Sequence, residues 1–167
     1  MTDRPSPDAG QNADAARIVE LIQKQNIAMV TTVAADGTMK SRPMGIQKVT
    51  EEGDLWFFLG RSSDQAQSIG RNPELNVSLT SSDHWVSVAG RGTLVRDPHL
   101  IDEMWDDMVA GHFEGGKDDP EVALLHVRAE SAEYWDTPGG KVTALLDFVK
   151  SKVTGKPMSG ENAATEL

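Results

Sequence analysis

Three short segments carry the residue types that could do chemistry together. Ser41-Arg42-Pro43-Met44 places a guanidinium on an extended run, where it can form charge-assisted bonds to a phosphate or bond a carbonyl, and where a plain surface arginine would also stand. Leu59-Gly60-Arg61-Ser62-Ser63 leads an apolar strand into a helix start. Free backbone N–H groups and hydroxyls there suit an anion, and they equally suit ordinary helix capping. Ala132-Glu133-Tyr134-Trp135 ends on a tryptophan that can cover an aromatic ligand edge or close a core. Jointly the three segments could hold a flat, phosphorylated, aromatic ligand.

Other chemistries find little support. The chain has no cysteine, so it offers no disulfide, thiolate metal site or thiol nucleophile. His84, His99, His112 and His126 are scattered without ligand spacing, and no metal site is expected. There is no Gly-x-Ser-x-Gly elbow for a hydrolase. Gly90-Arg91-Gly92 lacks the third glycine and the following helix of a dinucleotide fingerprint. A formal net charge of -10 opposes non-specific nucleic-acid binding and reads as a solvated surface. No apolar run approaches the roughly 20 residues that span a bilayer, and Met1 to Asn12 does not look like a signal peptide, so a soluble, cytoplasmic protein without membrane contact is expected.

Helical spacing of Ala15, Ile18, Val19 and Ile22 predicts an amphipathic helix over about 13–25, after a loose, disordered segment 1–12. Ile27–Val33 and a run through Val49 read as a hairpin around Ala35-Asp36-Gly37-Thr38. Leu55-Trp56-Phe57-Phe58-Leu59 reads as a strand covered on both faces, followed by a short helix that ends near Asn72-Pro73. Leu75, Val77 and Leu79 alternate, and Trp85–Arg96 is a long strand whose Gly90 and Gly92 suggest a bulge, a barrel corner or something flat against the backbone. Asp97-Pro98 opens a helix with Leu100, Ile101, Met104, Trp105 and Met108 as its buried stripe. Val122–Trp135 reads as the last strand, Val142, Leu145, Leu146, Val149 and Val153 as a C-terminal helix, and 154–167 as a disordered tail. The fold class is mainly β (α+β): a small antiparallel barrel with peripheral helices, in one domain over 13–153.

Ser41-Arg42-Pro43-Met44, Leu55-Trp56-Phe57-Phe58, Asn72-Pro73-x-x-Asn76-Val77 and the late Glu-Tyr-Trp, in this order, resemble the general stress protein 26 group of the pyridoxamine 5'-phosphate oxidase-like split barrels. The resemblance implies a six-stranded antiparallel split β-barrel that forms a homodimer and binds FMN, or FAD, in clefts between subunits. It places Arg42, Pro43, Met44, Gly45 and Gln47 along the ring and ribityl chain, with Phe58, Leu59 and Gly60 flanking them. It puts Ser62, Ser63 and Gln65 at the phosphate, and Trp85 and Trp135 around the dimer cleft. A flavin-dependent oxidoreductase using NADH or NADPH is one implied function, and a non-enzymatic flavin-binding or flavin-sequestering stress protein the other. Related barrels also accept deazaflavin F420 or haem. The chain departs from the oxidases of the group at Asp64-Gln65, which replaces an Arg-Lys pair, and at Gln47, which replaces a substrate lysine. No Arg-x-His follows Trp135, so oxidation of vitamin B6 is not expected.

Overall fold

The computed structural model describes residues 7–136 and 161–166. Their order is α1 (Pro7–Gln23), β1 (Ile27–Val33), β2 (Met39–Val49), β3 (Leu55–Gly60), α2 (Asp64–Arg71), β4 (Glu74–Thr80), β5 (His84–Val95), α3 (Pro98–Met104), α4 (Asp107–Ala110), β6 (Val122–Asp136) and β7 (Glu161–Glu166). All strand pairs are antiparallel, in the order β3-β2-β1-β4-β5-β6, and β6 returns to β3 so that six strands close a barrel. The expected split barrel is thereby observed.

The β1–β2 hairpin forms because two extended runs flank a residue that tolerates the turn. Gly37 has φ 83°, a left-handed value that glycine adopts without steric cost. Asp36 Oδ1 accepts from the Thr38 N–H at 3.0 Å and from its hydroxyl at 2.6 Å, which ties the turn down.

Alternation also decides what each strand buries. On β3, Leu55, Phe57 and Leu59 enter the barrel with Val30, Val77, Val88, Leu125 and Val127. Fully burying a side chain such as Phe57 is worth roughly 1.5–3 kcal/mol. Trp56 and Phe58 point the other way, into a second cluster with Ile101, Met104, Val122 and Leu124. Both faces of β3 are therefore covered, as its unbroken apolar run suggests.

One expectation is corrected and three features add detail. The helix over 97–108 is two: α3 stops at Trp105, and Asp106 caps α4 by accepting from Val109 N at 2.8 Å, so Met108 is exposed rather than part of a buried stripe. Second, α1 begins at Pro7 inside the segment expected to be loose, with proline at a helix start where its missing N–H costs nothing. Third, Glu161–Glu166 of the expected tail pairs as β7 with the half of β6 beyond the barrel, since backbone ladder bonds ask little of the side chains. Fourth, the bulge expected at Gly90 is present, and Gly90 and Gly92 make room for the protein itself rather than for something flat. A Cβ on Gly90 would lie 2.4 Å from the Arg128 carbonyl oxygen, where the β5–β6 register shifts, and one on Gly92 would lie 2.7 Å from Leu75 Cδ2. The expected helix over Val142–Val153 lies outside the described residues.

Candidate functional site

Strand β2 changes partners midway, and the change creates a pocket. Met39–Gly45 pairs with β1, whereas β3 joins only from Ile46 to Val49. Between Ile46 and Lys48 the register shifts, so Gln47 is the extra residue of a bulge. The edge of β2 before the bulge is thus left open beside the end of β3. Across the opening stands α4.

The resulting pocket has a volume of about 360 Å³, within the range of small-molecule sites. Pro43, Met44, Gly45 and Gln47 line one side, Phe58, Leu59 and Gly60 a second, and Met108, Val109, His112 and Phe113 a third. Its walls are mostly apolar. Phe58 is held by Trp105 (ring centroids 5.6 Å apart, 90°) and by Phe113 (6.4 Å), which fixes the aromatic side of the wall. A Cβ on Gly45 would stand 3.4 Å from Gln47 Nε2 and 4.0 Å from Met108 Sδ. The missing side chain keeps the space between β2 and α4 clear. Gln47 Nε2 reaches the Gly45 carbonyl at 3.4 Å, a long bond that leaves both groups able to bind something better.

Site residues named from the sequence divide into those on this pocket and those elsewhere. Arg42 is half-buried on β2, opposite Val30, and is not on the pocket wall. Ser63 caps α2, its hydroxyl accepting from Ala66 N at 3.1 Å. Gln65 is only 5% exposed, and its amide donates to Met44 Sδ at 3.2 Å behind the pocket rather than facing outward. Ser62, two residues past Gly60, donates its N–H to Glu121 Oε2 at 3.0 Å and its hydroxyl to the same oxygen. These bonds, the hydroxyl's first, hold the Glu121 carboxyl below the usual carboxylate range. Trp85 and Trp135 are cross-strand partners on the outer face of the sheet, 42% and 41% exposed, away from this pocket.

Sequence reasoning missed the third wall. Helical spacing puts Met108 in a buried stripe, and Phe113 and His112 fall in a segment with no periodicity. The available signal was Asp106-Asp107, a capping residue in the middle of an apparent helix. His112 Nδ1 lies 2.9 Å from Met108 O, which holds the ring against α4.

The sequence model of the family described as pyridoxamine 5'-phosphate oxidase like matches residues 13–159. The chain belongs to the pyridoxamine 5'-phosphate oxidase-like family. Protein bli-3 of Neurospora crassa is similar to this chain, 28% identical over 141 residues that cover 77% of this chain and 67% of that protein. A Jannaschia sp. CCS1 protein, provisionally assigned as general stress protein 26, has a similar fold: TM-score 0.74 at 23% identity, covering 93% of this chain and 99% of that one. The general stress FMN/FAD binding protein of Xanthomonas citri is also similar, with TM-score 0.64 and 25% identity over 80% of this chain and 93% of that one. The pyridoxamine 5'-phosphate oxidase-like barrel of this chain differs from the oxidase pattern in what surrounds Ser62. Asp64 and Gln65 follow it, and the carboxylate of Glu121 sits on it.

Proposed function

We propose that this chain binds a flavin, FMN or FAD, in the pocket between β2, β3 and α4, and that it serves as a flavin-dependent oxidoreductase of the general stress protein type. The observation that carries this reading is the meeting of Pro43–Gly45, Gln47 and Phe58–Gly60, named from the sequence as ring-flanking residues, on one pocket of suitable size. The residues present fit the group. Met44, Leu59 and Phe58 offer apolar surface to a flat ring, the open edge of β2 offers backbone hydrogen-bonding groups to its polar edge, and Gly45 leaves the room. A bound flavin would supply hydride acceptance, with NADH or NADPH as the donor. The chain's own part is to bind and orient the ring, exclude water from one face and leave the other reachable.

His112 is the one titratable side chain among the lining residues, and it is exposed. That scarcity of acids and bases favours a second reading, a flavin-binding stress protein without catalysis. Anaerobic mixing of the flavin-loaded protein with NADH or NADPH separates the two. Bleaching over many turnovers is the result expected of the oxidoreductase; stoichiometric binding with no bleaching leaves the binding protein. Failure of FMN and FAD to bind at all would end both readings.

A further inference from the structure

Ser62 stands two residues beyond Gly60, the last lining residue that β3 supplies, and there the chain supplies its own anion. Glu121 precedes β6, whose Val122 pairs with Gly60, so barrel closure itself brings its backbone to this end of β3. Arg61 N donates to the Glu121 carbonyl at 2.8 Å, and the Glu121 N–H is held by Asp119 Oδ1 at 2.8 Å. The side chain then accepts both the N–H and the hydroxyl of Ser62, the pair of donors a phosphate here would use. Within two residues along the chain from Ser62 and from its partner Glu121, the charged residues are Arg61 against Asp64, Asp119 and Glu121, a net negative set. A dianionic phosphate meets repulsion there, where a related oxidase would offer it cations.

We propose that Glu121 is a specificity-determining residue of the pocket: its carboxylate competes with a ligand's terminal phosphate for Ser62, so the ring and ribityl chain, rather than the phosphate, carry flavin affinity. This rests on the flavin reading of the pocket. Exposure of Glu121 and its place at a strand start make Glu121→Gln a substitution the fold tolerates. Two titrations test the proposal. In the unmodified chain, FMN and riboflavin should bind within about threefold of each other, and Glu121→Gln should tighten FMN about tenfold while leaving riboflavin unchanged. FMN already bound more than tenfold tighter than riboflavin, or an equal effect of the substitution on both, would overturn the assignment. Independently of flavin, inorganic phosphate should shift the Ser62 amide resonance saturably in Glu121→Gln and far less in the unmodified chain. If no flavin binds but phosphate behaves this way, the pocket reading falls and the role of Glu121 stands. A silent Ser62 amide in Glu121→Gln overturns that role.

Discussion

Gly45 has an ordinary strand backbone, so a side chain there strains nothing, yet its Cβ would project into the gap between Gln47 and Met108. Gly45→Val should therefore lower flavin affinity at least tenfold, about 1.4 kcal/mol, while the thermal midpoint moves by no more than about 3 °C. Equal loss of binding and of stability would mean that the residue serves the core and not the site. Gln65 shows the opposite case. The family resemblance places it at the phosphate, where a lysine would tighten FMN. The structure buries it against Met44, because the first turn of α2 turns that side toward the barrel with Ala66 and Ile69. Gln65→Lys is now expected to destabilise the chain by about 1–3 kcal/mol in urea unfolding, since an ammonium there loses water and gains only a thioether. A tighter FMN complex with unchanged stability would restore the outward-facing reading.

At the scale of elements, strands were legible and their interruptions only partly so. Leu75, Val77 and Leu79 announced their inward direction by alternation, and the unbroken apolar run of β3 announced a second buried face. A bulge leaves a weaker trace. Gly90 signalled one on β5, but nothing in Ile46-Gln47-Lys48 distinguishes an extra residue from a regular one, because the shift at Gln47 follows from how β2 leaves β1 for β3. Glu121 was equally hidden, being 59 residues from its partner Ser62 and brought there by the β3–β6 closure. The bulge on the β5–β6 ladder gives a sharp test. Gly90→Ala sets a methyl against a backbone oxygen that cannot move without breaking the ladder, and a loss of about 3 kcal/mol or more in denaturant unfolding is expected. A loss under 1 kcal/mol would show that the β6 backbone there is free to shift.

On the scale of the whole molecule, the outer face of the sheet carries Ile27 (58% exposed), Met29 (40%), Trp85 (42%) and Trp135 (41%). Between them lie small residues such as Ser78 and Ser87, which keep that face flat. A patch of this kind suits burial against a second copy, the homodimer that the family resemblance implies. Light scattering should give a mass near twice 18.1 kDa, and Trp85→Glu should move it toward the monomer. A monomer at all concentrations in the unmodified chain would contradict the dimer. Among the described residues no helix is long and apolar enough to cross a membrane. The methionines allow the proposed flavin pocket itself to be tested directly. Met44 and Met108 line it, whereas Met29 and Met39 stand on exposed positions outside it. With 13C-methyl-labelled methionine, titration with FMN should shift the Met44 and Met108 resonances saturably and to a common dissociation constant, with smaller changes at Met29 and Met39. Saturable binding that moves Met29 or Met39 and leaves Met44 and Met108 still would place the ligand elsewhere and contradict the account.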